Sequence, residues 1–137
     1  MEKRGQVSIE FITIFGFVFL MMIPLIVIFF DQSGAVQDAI ASNHLRNIGI
    51  KIIDKGESVY YLGEPSKVTI KTTFPERIEY INFTTRTILI GYRTQDNNIQ
   101  AIEVVAKMNV TGSLSTNPGI HYISIEASSG GITVSYA

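Results

Sequence analysis

No charged residue interrupts the stretch FITIFGFVFLMMIPLIVIFF, residues 11–30, which is bounded by Glu10 and Asp31. Twenty residues at about 1.5 Å each cover roughly 30 Å, the thickness of the hydrocarbon core of a bilayer. The stretch therefore predicts a membrane-spanning helix. Lys3 and Arg4 precede it and acidic residues follow it, so the positive-inside rule places the N-terminus in the cytoplasm and the later residues outside.

A cleavable secretory signal peptide is the alternative interpretation of this segment. Basic residues precede the apolar run, and residues 39–41 read Ala-Ile-Ala, the small-x-small pattern of a cleavage site. Such peptides have an apolar core of about 7–15 residues. The run here is twenty residues long, and the alanine pair begins nine residues beyond Phe30. Both features favour the membrane helix, and the signal peptide remains the competing hypothesis.

The helical pattern continues beyond the apolar run. Over residues 41–53, apolar side chains recur at the spacing of one helical face, and polar side chains occupy the opposite face. Gly56 is a candidate C-terminal stop, so we expect one helix over residues 6–55, amphipathic from residue 31 onward. The apolar face consists of Ala41, Leu45, Ile48, Gly49, Ile52 and Ile53.

Pro24 is the one helix breaker inside the predicted membrane span. Proline has no N–H, so the carbonyl of Leu20 loses its usual helical partner. We therefore expect a kink or local loosening of the helix near residues 20–24.

After residue 66 the apolar pattern changes from the helical period to alternation. Apolar and polar residues alternate over residues 68–74, which predicts a half-buried strand. Similar runs follow, separated by Gly, Pro, Asn and Asp turn signals. The predicted strands are residues 68–74, 78–83, 87–92, 99–108, 120–127 and 132–136.

Six strands without a second helix predict an α+β fold. We expect a long N-terminal hydrophobic α-helix, a junction over residues 56–67, and a small antiparallel β-sandwich or β-sheet headgroup over residues 68–137. Such a sheet is thin. It is expected to pack against the apolar face of residues 41–53, so that helix and sheet share one core.

The composition excludes several classes of function. The 137 residues include 11 Lys and Arg and 12 Asp and Glu, which gives a net charge of −1. This balance argues against nucleic acid as a partner. The chain has no Cys, so disulfides and thiolate chemistry are excluded. His44 and His121 lack metal-ligand spacing, and no catalytic constellation is present. We expect neither an enzyme nor a bound metal or cofactor.

The segment just before the apolar run is the most informative one. Residues 3–11 read KRGQVSIEF. A carboxylate such as Glu10 is costly there unless it faces the membrane interface, a partner charge or the positive end of a helix; taken alone, it could simply mark the membrane edge. The whole segment resembles the processing site of archaeal type IV prepilins with a class III signal peptide. In that family a basic pair and a Gly, here Lys3, Arg4 and Gly5, precede a Gln, here Gln6.

The resemblance implies a specific maturation step. A membrane-embedded aspartyl peptidase would cut between Gly5 and Gln6, remove residues 1–5 as a leader, and leave Glu10 as the fifth mature residue. In the family's assembly model, an acidic side chain at this place meets the N-terminal amine of a neighbouring subunit within the filament core. Opposite charges attract strongly in a low dielectric, and either charge left unpaired there is costly.

The resemblance extends loosely over the whole chain, including the junction SVYYLGEPS at residues 58–66. Archaellins are less similar, because their mature segment is rich in Gly and small residues and lacks this Glu. The resemblance therefore implies a structural subunit of a type IV pilus-like surface filament that supports adhesion or surface attachment, stored in the cell membrane before assembly. The implied partners are other copies or related pilins, the prepilin peptidase, an assembly ATPase and a membrane platform protein.

Two other functions stay open. The chain could be a single-pass membrane-anchored extracellular binding module that never polymerises, or a minor pilin that initiates or tips a filament. Two N-glycosylation sequons, Asn82-Phe83-Thr84 and Asn109-Val110-Thr111, would become usable if the β domain lies outside the cell. Two such motifs in a chain rich in Ser and Thr are weak evidence by themselves.

Overall fold

A long helix leads directly into two β-sheets in this protein, which is described by a computed structural model. The structure describes the backbone of residues 3–137 and the side chains of residues 8–137. Within that range it confirms the α+β fold class. The elements are α1 Lys3–Leu62, β1 Lys67–Phe74, β2 Ile78–Thr84, β3 Thr87–Arg93, β4 Ile99–Val105, β5 Asn109–Gly112, β6 Gly119–Ser128 and β7 Gly131–Tyr136.

The chain divides into two units, Met1–Gln37 and Asp38–Ala137. The first unit is the N-terminal part of α1, and its side chains from Ser8 to Gln32 are exposed. The second unit contains the rest of α1 and all seven strands of the described chain. The units therefore divide before the expected junction at residues 56–67, because the last part of the helix, residues 38–62, belongs to the β domain.

The strands of the second unit form two sheets. One has the order β1-β6-β7-β5 and the other the order β2-β3-β4. Neighbouring strands are antiparallel, except that β5 runs parallel to β7, with Val110 beside Ile132. The predicted headgroup is thus confirmed as a β domain with mostly antiparallel pairing.

Helix and sheets share one hydrophobic core, as the apolar face predicted. Leu45 and Ile52 on α1 are each 1% exposed and belong to the same buried cluster as Ile90 and Ile123 from the two sheets. Gly49 allows a close approach, because a Cβ there would lie 2.7 Å from Val104 Cγ2. Full burial of one such isoleucine contributes about 1.5–3 kcal/mol. The amphipathic part of α1 is therefore one wall of the β-domain core.

The helix continues seven residues beyond the expected end at residue 55, to Leu62. Gly56 was predicted as the stop, and that was wrong. Gly56 is buried, and a Cβ there would overlap Ile132 Cδ1. The stop is Gly63, whose φ of 78° is the left-handed conformation of helix C-termini, and whose N–H donates to the carbonyls of Val59 and Tyr60 at 3.2 and 3.1 Å.

The strand predicted over residues 99–108 is three residues too long, and the strand that follows it was not predicted. β4 ends at Val105, and β5, which belongs to the other sheet, begins at Asn109. Buried and exposed residues alternate without a break from Ala101 to Val110. The alternation is therefore that of one continuous strand, and it does not indicate where the chain passes from one sheet to the other. Between β4 and β5, the N–H of Ala106 donates to the carbonyl of Arg86 at 2.7 Å.

Candidate functional site

The apolar segment of residues 11–30 is exposed on every face of α1. Its large side chains range from 48% exposed at Val18 to 70% at Phe29, and the helix is long and apolar enough to cross a membrane. An ordinary surface helix buries one stripe, whereas a helix that is apolar all round requires an apolar environment on all sides. This segment is therefore compatible with membrane anchoring.

The single side-chain hydroxyl of this segment is bonded within the helix. Thr13 Oγ1 donates to the carbonyl of Ile9 at 2.8 Å. Phe11, Phe15 and Phe19 form a ladder along one face, with ring centroids 4.9 and 6.0 Å apart. Because α-helical backbone groups bond within the segment, the surface offered to lipid or to other helices is hydrocarbon.

The structure places Glu10 and Pro24, the two residues of α1 to which the sequence assigned an assembly role and a kink. Glu10 is exposed, at the start of the apolar run. Pro24 lies inside α1, which continues through it as a helix. The kink expected at residues 20–24 remains a prediction.

The predicted processing site lies outside the described side chains. The backbone of Lys3, Arg4, Gly5 and Gln6 is helical, and nothing further is described of these residues. Cleavage between Gly5 and Gln6 stays a prediction from the sequence.

Asp38 is a contact residue that sequence reasoning missed. Its two carboxylate oxygens accept the backbone N–H of Gln95 at 3.0 and 3.2 Å, and Arg77 Nη1 donates to Oδ1 at 3.3 Å. A carboxylate on α1 therefore holds both the β1–β2 turn and the loop after β3 to the helix. In the sequence, Asp38 is only one of the acidic residues that follow the apolar run. Its partners could not be predicted, because they are 39 and 57 positions away.

The two histidines serve as hydrogen-bond donors within the β domain. His44 Nε2 donates to the carbonyl of Thr73 at 3.0 Å, and Lys51 Nζ donates to the carbonyl of Lys71 at 2.9 Å. Both carbonyls lie on β1, an edge strand, so side chains of α1 cover part of that edge. His121 Nε2 donates to the carbonyl of Asn117 at 2.7 Å. Among residues 8–137, no group of three or more His, Asp or Glu could hold a metal ion.

Two surface ion pairs shift the pKa values of their members. Arg93 Nε donates to Glu79 Oε1 at 2.7 Å, and this hydrogen bond lowers the pKa of Glu79 below its ordinary 4.5. Folding lowers this pKa, so the pair stabilises the fold above pH 4.5 and loses that effect as the pH falls through the folded pKa. Lys107 Nζ donates to Glu57 Oε2 at 3.0 Å, which raises the pKa of Lys107.

The two sequons lie on different sheets. Asn82 is exposed on β2, and Asn109 is exposed on β5. The threonine hydroxyls of both sequons donate to backbone carbonyls, Thr84 to Thr87 at 3.3 Å and Thr111 to Ile132 at 3.2 Å.

One long apolar helix followed by a β-sheet domain is an architecture consistent with a type IV pilin-like protein. No protein-family model, curated protein or solved structure matches the chain.

Proposed function

We propose that this chain is a structural subunit of an archaeal type IV pilus-like surface filament. The observation that carries the proposal is the apolar segment of residues 11–30, which is exposed on every face while the β domain closes its own core around residues 45–134. The β domain does not need this segment for its own packing. The segment is therefore free to be covered by lipid or by other subunits.

The exposed apolar surface of residues 11–30 suits both a lipid bilayer and the core of a filament. Lipid tails and neighbouring apolar helices offer similar van der Waals contact to a helix that is apolar all round. Before assembly, the subunit is stored in the cell membrane with its N-terminus in the cytoplasm and the β domain outside. On assembly, the apolar helices bundle into the filament core and the β domain is displayed at the cell surface. Other copies or related pilins, the prepilin peptidase, an assembly ATPase and a membrane platform protein are the partners.

Glu10 is the residue that distinguishes a filament subunit from a simple anchor. A carboxylate within bundled apolar helices needs a charged or hydrogen-bonding partner. The N-terminal amine of Gln6 of a neighbouring subunit fits that role. Such a pair would fix the register of subunits more than it adds stability.

A membrane-anchored binding module is the second candidate. It is favoured by the closed core of the Asp38–Ala137 unit, which folds around its own helix segment. A module of this kind has no subunit neighbours, so Glu10 would only mark the membrane edge. A minor pilin would behave like a filament subunit but would form a small fraction of the filament.

Replacing Glu10 with Ala is expected to abolish or strongly reduce surface filaments, because it removes the charge that pairs with a neighbouring subunit in the proposed filament core. Membrane insertion should continue, because the change makes the helix more apolar. Filaments sheared from cells and counted by electron microscopy measure the effect. The matched control is Asp31→Asn, which removes a charge at the other flank of the same run and should leave filament yield unchanged. Normal filaments from the Glu10 variant would support the anchored module.

The mature chain is expected to begin at Gln6, and cyclisation of this residue to pyroglutamate would remove the amine that the pairing with Glu10 needs. Mass spectrometry of the N-terminal peptide from membranes and from filaments measures this. A chain that retains Met1 would contradict processing of the prepilin type. A chain that begins at Ser42 would support the secretory signal peptide, since Ser42 follows the Ala39-Ile40-Ala41 pattern.

A further inference from the structure

A groove of about 380 Å³ lies between α1 and the edge strand β1. Its helical side consists of His44, Asn47, Ile48 and Lys51, which recur at the spacing of one helical face. Its other side is β1 at residues 71–73. None of these lining residues, all of which lie in the described part of the chain, is Asp or Glu. The groove therefore carries positive charge with no lining carboxylate to neutralise it.

The backbone of β1 turns one set of its polar groups toward this groove. In an antiparallel ladder, residues that bond to the neighbouring strand alternate with residues that point away from it. Tyr122 of β6 accepts the N–H of Ala137, next to β7, at 3.0 Å, so its register partner Lys71 points away from β6. The carbonyls of Lys71 and Thr73 accordingly accept side chains of α1. The N–H groups of the same two residues face the same side.

The helix satisfies the outward carbonyls of β1 and leaves its outward N–H groups unused. His44 bonds the carbonyl of Thr73, and Lys51 bonds that of Lys71. No hydrogen bond from the N–H of Lys71 or Thr73 to another element is present within residues 8–137. Asn47 lies between His44 and Lys51 on the helical face, and its side-chain amide supplies two more donors. The groove is therefore lined by hydrogen-bond donors whose neighbouring backbone acceptors are already occupied.

Lys51 supplies the charge of the groove. Its ammonium group has three N–H donors and uses one on the carbonyl of Lys71, at 2.9 Å. The ammonium group of Lys71 lies over the Tyr122 ring instead, 6.0 Å from the ring centroid. Two N–H donors of Lys51 therefore remain for a ligand, beside the N–H of Thr73.

We propose that this groove binds an oxyanion, a carboxylate or a phosphate group, between Lys51 and β1. The oxygens of the ligand accept from Lys51 Nζ, from the N–H of Thr73 and from the side-chain amide of Asn47. Hydrogen bonds to a charged acceptor are roughly twice as strong as those between neutral groups. The groove volume lies at the lower end of the range for small-molecule sites, so a sugar ring that carries the group fits as well. The site belongs to the Asp38–Ala137 unit alone and does not depend on the proposed function.

An added peptide strand fits this edge less well than an oxyanion does. A strand that extends a sheet pairs with carbonyls and N–H groups in alternation. The carbonyls of Lys71 and Thr73 already accept from α1, so such a strand would have to displace side chains of the helix. An oxyanion has acceptors only, and it uses the groups that α1 leaves open.

The test is an NMR titration of the full ¹⁵N-labelled chain in detergent micelles. The probes are inorganic phosphate and glucuronate; glucose lacks the carboxylate, and sodium chloride matches the ionic strength. The amide signals of Lys71, Thr73 and the Asn47 side chain should shift saturably with at least one oxyanion and with neither control. A response to phosphate alone or to glucuronate alone identifies which group the site takes. No saturable shift with either oxyanion would overturn the proposal.

Asn47→Asp tests the groove directly, because it replaces two donors with a negative charge and leaves the Lys51 contact in place. It should abolish the saturable shifts of Lys71 and Thr73. Asn98→Asp makes the same change at an exposed residue before β4 that does not line the groove, and it should bind like the parent chain. Equal binding by the Asn47 variant and the parent chain would contradict the site.

Lys51→Met should weaken binding about fivefold, the effect of losing one exposed ion pair. Lys55→Met is its control, because Lys55 is exposed one turn further along α1 and does not line the groove. The control should leave binding unchanged. The thermal midpoint of each variant shows whether the β domain remains folded. If the two lysine variants lost binding equally, general charge attraction would account for the shifts, and the groove would not be a site.

Discussion

A chain that begins at Asp38 is expected to stay in the supernatant after ultracentrifugation of broken cells, whereas the full chain sediments with the membranes. Insertion of the apolar residues between 11 and 30 into a bilayer is worth on the order of −5 to −10 kcal/mol, because each contributes a few tenths of a kcal/mol. Without them the remaining unit exposes no comparable apolar run. Its core of Leu45, Ile52 and the strand isoleucines remains complete.

The shortened chain should also unfold in one cooperative step, and circular dichroism measures this transition.

A variant of the full-length chain tests separately whether residues 11–30 are what holds the protein in the membrane. Val18→Lys together with Ile26→Lys adds roughly 5–7 kcal/mol to the cost of insertion and should release the full chain from membranes without changing the β domain. If the chain from Asp38 failed to fold, the core of the β domain would need residues before Asp38, and the division of the chain into two units would be wrong.

Gly56→Val is expected to lower the free energy of unfolding of the β domain by about 3 kcal/mol, the upper end of the usual cost of overpacking. A Cβ at Gly56 would overlap Ile132 Cδ1 and would lie 3.1 Å from Met108 Cε. Ile132 is 0% exposed and Met108 is 5% exposed, so a shift of either side chain must be taken up by the core around it. Whether these side chains repack or the helix moves away from the sheet, packing along the buried face of the helix would weaken.

Ser58→Val is the matched control, because it places the same side chain on an exposed position two residues further along α1. It should change stability by less than about 0.5 kcal/mol, as most surface substitutions do. Urea denaturation of the two variants measures the difference. Equal stabilities would mean that the glycine is not needed for the approach of the helix to β7.

The division into helix and sheet could be predicted from the sequence because the apolar period changes along the chain. Residues 11–30 are apolar without interruption, residues 41–53 repeat at helical spacing, and the later segments alternate. The buried face of α1 followed directly from this periodicity. Leu45 and Ile52 are buried as that pattern requires.

The errors arose where a local signal had a tertiary cause. Gly56 looks like a helix stop, but it is small because β7 approaches the helix there, and the residue with the left-handed φ is Gly63. The passage from β4 to β5 keeps the alternation of a single strand while the chain changes sheets. The contacts of Asp38 join residues far apart in sequence, and no local pattern encodes such a pair.

The parallel pairing of β5 with β7 constrains when the β domain can fold. β7 follows every other strand in chain order, yet it lies between β6 and β5 and contributes Ile132 and Val134, which are both 0% exposed. Until β7 has been synthesised, β5 has no partner in its sheet and the helix faces an open core. Contacts of such long sequence separation form slowly. A nascent chain therefore cannot close the core of the β domain until synthesis is almost complete, although α1 and the β2-β3-β4 sheet do not need β7 for their own hydrogen bonds.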